Sequence, residues 1–247
     1  MIKPKPQQVS QPSSESGFTI IESLVAMLVV AILLAAIAPT IVIATATRVQ
    51  SKRVELATQA ARTFIDGVKT GAVTIPATTI TLTQSATATP RSLTDNLITT
   101  SATSMPVPGT TSAPLTSLYC VTKDTNNNIA ISNPDCTSNT TKIFYIQAVK
   151  IIVTGSSPTD STGLPKDGYR LAIRVYRSDI DVTKTVYASA TDSSINRTQN
   201  SFTGTLGNTQ SPLVEMTTEI GSKNTSFNAL CQRLAITSST TSNNTCN

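Results

Sequence analysis

Between Phe18 and Thr47 the chain carries one charged side chain, the carboxylate of Glu22. A charge at the centre of a membrane helix costs about 2.5–3.5 kcal/mol on insertion scales, and less near the interface, so Glu22 calls for a cationic partner. Elsewhere the chemistry is thin. The chain has no His, so neither a Ser-His-Asp nor a Cys-His nucleophile can be assembled. A His-containing zinc or iron site is excluded as well. Ser/Lys and carboxylate-pair mechanisms remain formally open, but there is no Gly-rich phosphate loop and no dinucleotide fingerprint. The expectation is a protein that is not an enzyme and that needs no cofactor and no metal.

Three further groups are candidates for chemistry. The four cysteines fall into two close pairs, Cys120/Cys136 and Cys231/Cys246, and behind an export signal they read as two local disulfides. Asp124, Asn126, Asn128 and Asp135 have part of the spacing of a calcium loop. Ile129 stands where a glycine is wanted and no helix follows, so polar turn residues explain the run better. Arg170 and Arg174 share a strand face with Tyr176, with Lys184 across from them. Two readings stay open for that face: a site for acidic polysaccharide or DNA, or a solvated outer surface, favoured because Asp179 and Asp181 dilute the charge. The net charge of +5 is spread along the chain, so a nucleic-acid partner is not expected.

The elements that hold these residues follow from periodicity and composition. Ser23 to Ala46 is long and apolar enough for a helix that crosses a bilayer. Lys3 and Lys5 precede it and place the N-terminus in the cytoplasm, although Arg48, Lys52 and Arg53 weaken the asymmetry. Pro39 lies inside the span, where it removes a backbone donor and predicts a kink. Ala36-Ile37-Ala38 resembles a signal-peptide cleavage site, but the apolar run continues past it and Glu22 sits where such regions are uncharged. Beyond the span, Val49, Arg53, Leu56, Ala60, Phe64 and Val68 keep helical spacing until Gly67, Gly71 and Pro76 supply stops. One helix of about 50 residues is predicted, apolar all round in its first half and amphipathic in its second. A juxtamembrane coiled coil is the lesser reading of that second half, because too few heptads are present.

The run Gly17-Phe18-Thr19-Ile20-Ile21-Glu22-Ser23-Leu24-Val25-Ala26 resembles the cleavage region of type IV pilins and pseudopilins. In that family prepilin peptidase removes a short hydrophilic leader after the glycine and methylates the new N-terminal residue, usually Phe. A Glu four positions on is used in filament assembly. The resemblance implies cleavage between Gly17 and Phe18, N-methylation of Phe18 and an assembly role for Glu22, with Pro39 matching a proline often found in the same helix. It also implies the pilin fold, an α+β arrangement whose long N-terminal helix packs on the antiparallel sheet of a loop-rich head. The expected partners are prepilin peptidase, other pilins or pseudopilins, an assembly platform and the membrane. The expected location is a single-pass inner membrane protein, head extracytoplasmic, that passes into a pilus or pseudopilus at the cell surface. Arg48-Val49-Gln50, Val54 to Arg62 and Phe64-Ile65-Asp66-Gly67 look like the cyanobacterial pseudopilins of hormogonium polysaccharide secretion, which adds motility and polysaccharide to the implied associations. A membrane-tethered adhesin or polysaccharide-binding protein, exported through the pilin segment, is the alternative.

The expected organisation is a leader at 1–17, a spine helix at 18–71 with its membrane segment at about 20–46, and a head at 72–247. In the head, 77–117 reads as a long Thr/Ser/Pro-rich loop with short extended pieces. Leu118–Thr122, Lys142–Val153 (bulged near Gln147 and Lys150), Tyr169–Tyr176 and Val182–Ala190 read as strands, the last pairing with its predecessor across Ser178–Asp181. A three- or four-stranded antiparallel sheet is predicted, and then a polar, irregular stretch from Ser193 with a short helix at Ser226–Leu234.

Overall fold

In the computed structural model the described residues are 17, 19–84, 105–109, 114–137, 141–154, 165–188 and 209–234. The chain divides into two compact units between Thr45 and Ala46. One helix, α1, runs from Ile20 to Thr70. Then come β1 (Thr79–Leu82), a 3-10 turn (Leu115–Ser117), β2 (Tyr119–Lys123), β3 (Ile129–Pro134), β4 (Phe144–Val153), β5 (Tyr169–Arg177), β6 (Val214–Ile220) and α2 (Phe227–Leu234).

In the first unit, the apolar side chains of α1 from Ile20 to Ile43 face outward. This stretch is long and apolar enough to cross a membrane. The helix continues through Pro39, whose ring leaves the Ala35 carbonyl without its usual donor. Thr40 and Thr45 turn their hydroxyls back onto the carbonyls of Ile37 and Ile41, at 2.7 and 3.0 Å, so their polar atoms are satisfied within the helix.

In the second unit the amphipathic part of α1 lies on the sheet. Ala57, Ala60 and Ala61 are fully buried and let the helix backbone come close, while Phe64 and Val68 fill the space beyond. They meet Phe144, Ile146 and Ala148 of β4 and Leu171, Ile173 and Val175 of β5. Phe64 meets Tyr119 edge-on, with centroids 4.7 Å apart, a geometry that aromatic quadrupoles favour. The helix ends on Gly71 at φ +77°, and Val73 folds back to donate to the Gly67 carbonyl at 3.0 Å.

The sheet has six strands among the described residues, in the order β3-β2-β4-β5-β6, with β1 also on β4. One edge of β4 is shared: β2 runs antiparallel to its first half and β1 runs parallel to its second. The predicted sheet was smaller and wholly antiparallel. β3 and β6 fall outside the strands read from the sequence, and the partner of β5 is β6, not Val182–Ala190. Val186 and Ala188 are instead buried off the sheet, and Tyr187 N–H donates to the Gln210 carbonyl. The bulge expected in β4 is absent, since Phe144 to Ile151 pair with β5 in unbroken register. The irregularity lies in β2, between Tyr119 and Val121.

The face of β4 and β5 turned away from the helix is also covered. Tyr176, Leu118 and Val186 form one apolar cluster there, and Met105, Val149 and Ala172 form another. Arg174 Nη1 donates to the Met105 carbonyl at 2.7 Å, and Gln147 Nε2 donates to that of Pro106. Burial on both faces explains why β4 reads as a nearly continuous apolar run, while β5 alternates and buries Arg170 and Arg174 on the face away from the helix.

Candidate functional site

Of the N-terminal residues with expected roles, Gly17 and Glu22 lie at the start of α1 and Pro39 lies within it. Gly17 is exposed, with open space around it. Phe18 and residues 1–16 of the expected leader lie outside the described residues. Thr19 caps the helix: its carbonyl accepts from the Glu22 and Ser23 N–H groups at 3.1 Å each, and its hydroxyl accepts from Glu22 N–H at 3.3 Å. Glu22 is therefore the third residue of the helix, where a carboxylate faces the positive end of the helix dipole and completes a Thr-x-x-Glu capping sequence. The sequence reading missed this second reason for a carboxylate at that position, although the spacing from Thr19 carried it. The side chain is exposed, the residues around it are apolar, and no described cationic group pairs with its carboxylate.

The second unit departs from the sequence reading at its basic face. Arg174 and Tyr176 are fully buried and Arg170 is nearly so. They form neither a solvated face nor a basic patch open to polysaccharide or DNA. Arg170 Nε instead meets Glu219 at 2.6 Å, and Arg233 Nε reaches the other oxygen of the same carboxylate at 2.9 Å. Arg233 also donates to the carbonyls of Asp167 and Gly168 at 2.9 and 3.3 Å. Two arginines from different elements thus share one carboxylate and fasten α2 to the sheet. Lys184 pairs with Asp181 at 3.3 Å on the surface.

Asp124 is engaged by its own turn. Its carboxylate accepts from the N–H groups of Asn126 and Asn128 at 2.9 and 2.7 Å and from the Asn128 amide at 3.2 Å. These bonds, the Asn128 N–H foremost, hold its carboxyl below the usual value. Asp135 is lowered in the same way by Thr137. Asn127 adopts φ +65° at the turn between β2 and β3. Among the described residues no cluster of acidic or sulfur side chains is positioned to hold a metal ion. Cys120 and Cys136 form a disulfide, and both are fully buried. Cys231, on α2, is also disulfide-bonded, while Cys246 lies outside the described residues.

No curated protein and no solved structure matches this chain. Residues 12–38 match the prokaryotic N-terminal methylation motif, a segment that includes Gly17, Thr19 and Glu22. That match, on a long helix packed against a mainly antiparallel sheet, supports a prepilin-processed subunit of the type IV pilin and pseudopilin kind.

Proposed function

We propose that this chain is a structural subunit, a minor one, of a type IV pilus or a type II-like secretion pseudopilus. Prepilin peptidase cuts after Gly17 and methylates the new N-terminus at Phe18. Residues 1–17 are the leader, 18–71 the spine and 72–247 an extracytoplasmic head. Before assembly the spine crosses the inner membrane, and afterwards it packs with the spines of other pilins. The association with motility or polysaccharide secretion, and with the cyanobacterial hormogonium pseudopilins, belongs to this reading.

The observation that carries it is the lone carboxylate of Glu22, exposed on the third residue of a capped, outward-apolar helix within the matched methylation motif. Cleavage creates an α-amino group at Phe18, one helical turn from Glu22. In a bundle of spines, Glu22 of one subunit meets the Phe18 amine of the next. An unpaired charge is costly in an apolar core, so the matched pair selects one axial register. Pro39 loosens the helix and lets the spines adjust to one another.

Glu22→Ala should leave processing and membrane insertion intact and remove the protein from sheared filaments. Glu22→Gln keeps much of the side chain's shape and should fail in the same way if charge is what matters. Normal incorporation of either variant would overturn the assembly role. Intact mass of the purified protein checks the processing: loss of residues 1–17, gain of one methyl group. If wild-type protein stays with the cells on shearing, the tethered adhesin is the better reading.

A further inference from the structure

At the C-terminal end of α1 a cavity of about 350 Å³ opens between the helix and the loops that flank β5 and β6. Three lysines rim it from three separate elements: Lys69 from the last turn of α1, Lys166 from the turn before β5, and Lys223 from the loop after β6. All three are exposed, and none has an ion partner among the described residues. Val68, Ile75 and Ile220 supply apolar lining.

Tyr169 lines the same cavity while only 4% exposed. Its hydroxyl has no hydrogen-bond partner among the described residues, whereas the equally buried Tyr119 and Tyr176 hydroxyls donate to the carbonyls of Thr74 and Tyr187. The Tyr169 hydroxyl is not among the fully enclosed polar atoms that lack a partner, so it is open to the cavity and free to bond to what fills it. Burial raises its pKa to about 12, so it is a neutral donor and acceptor at ordinary pH.

The loops that carry the lysines are fixed in place. Ser222 donates through its hydroxyl to the Lys166 carbonyl, Thr225 donates to that of Asp167 at 3.1 Å, and Ser222 N–H donates to Thr225 at 2.7 Å. Arg233 holds the Asp167 and Gly168 carbonyls from the other side. Binding there orders little backbone, which lowers its entropic cost. The nearby acids do not cancel the rim. Glu219 is held by Arg170 and Arg233, and Asp167 lines a different cavity. Asp66, one turn before Lys69, is exposed on α1 and subtracts from the field.

We propose that this groove binds a carboxylated sugar chain, its carboxylates met by Lys69, Lys166 and Lys223 and a sugar hydroxyl met by Tyr169. Ammonium groups on exposed stems suit separated anionic groups that need no bidentate geometry. The hydroxyls and amides of Tyr169, Ser222 and Asn224 suit a ligand dense in hydroxyls. Single-stranded nucleic acid fits less well, because stacking needs an open aromatic face and the only aromatic ring among the lining residues is buried. None of the groove's residues lies within residues 12–38, the segment that matches the methylation motif.

The test is titration of the full chain in detergent micelles with oligogalacturonate, a neutral malto-oligosaccharide and oligo-dT. Oligogalacturonate is expected to bind and to weaken with added salt. Lys166→Gln with Lys223→Gln should lower its affinity about tenfold, the scale of losing two exposed charge contacts. Tyr169→Phe should lower it about fivefold for one hydrogen bond lost, with the melting temperature unchanged because the hydroxyl has no protein partner. Lys184→Gln, away from the groove, should have no effect. No binding of oligogalacturonate, equal binding of the neutral sugar, tighter binding of oligo-dT, or affinity unaltered in both groove variants would each overturn the proposal.

Discussion

Arg233, near the end of α2, donates through Nε to Glu219 of β6 at 2.9 Å, with its own side chain 2% exposed. The other carboxylate oxygen of Glu219 takes Arg170 of the neighbouring strand, its register partner. Removing the carboxylate leaves two guanidinium groups without their common anion in a largely dry site. Glu219→Ala should therefore destabilise the fold by about 3 kcal/mol, and Glu219→Gln by less. Urea unfolding of the full chain in detergent measures both, and an unchanged midpoint for Glu219→Ala would refute the assignment.

The same network shows where the sequence stops being legible. α1 was readable because a long apolar run and a helical period survive any head packing. β5 was readable because Tyr169, Leu171, Ile173 and Val175 alternate toward the helix. The strand β6 was not, because its sequence VEMTTEI is half polar and its charges make sense only opposite Arg170 and Arg174 on a strand far back in the chain. The second sheet face was misread for a related reason. Its Arg174 and Gln147 side chains donate to backbone carbonyls of Met105 and Pro106, and main-chain acceptors leave no pattern in a sequence. In Val182–Ala190, of which 189–190 lie outside the described residues, the alternation reflects Val186 packing under that face and Ala188 being buried, not a strand. At the N-terminus the methylation motif was legible, while the capping of the helix by Thr19 was hidden behind it.

Two glycines with similar backbone angles should respond differently to a methyl group. Gly71, at φ +77°, has no atom within 4 Å of the place a Cβ would take, so Gly71→Ala should cost only the left-handed conformation, about 1 kcal/mol. Gly168, at φ +74°, would place its Cβ 2.3 Å from the Ile220 carbonyl oxygen. A backbone atom cannot step aside, so Gly168→Ala should cost above about 3 kcal/mol. Equal melting temperatures for the two variants would contradict the close approach of the β5 start to the end of β6.

The Cys120–Cys136 disulfide spans a sequence separation of 16 and joins two residues with no exposed surface. Closing a loop of that length stabilises by about 3 kcal/mol in the chain-entropy model. The double replacement Cys120→Ala/Cys136→Ala should lower unfolding stability by about that amount. Because neither sulfur is exposed, mild reductant should cut the bond only in denaturant. Thiol labelling with and without urea reads this directly, and rapid labelling in native buffer would show that the loop opens.

The stability profile against pH should be flat near neutrality and fall at both ends. With no His in the sequence and no free cysteine among the described residues, no described side chain of ordinary pKa titrates between about pH 5 and pH 9. Asp124, Asp135 and Asp181 have folded pKa values below their usual 3.8, each from hydrogen bonds within its turn. Their contribution is present above that value and is lost as the pH falls through the folded ones. Tyr119, Tyr169 and Tyr176 go the other way: burial raises them above 10.0, Tyr169 to about 12. Below pH 10 that contribution is complete, and it fades as rising pH ionises the unfolded chain first. Thermal unfolding across the pH range should thus show a plateau, an acid limb below about pH 4 and an alkaline limb above about pH 10. Ultraviolet titration should show these three tyrosines ionising later than exposed ones. Tyr169→Phe should make the alkaline limb shallower, and a transition near neutral pH would rule this account out.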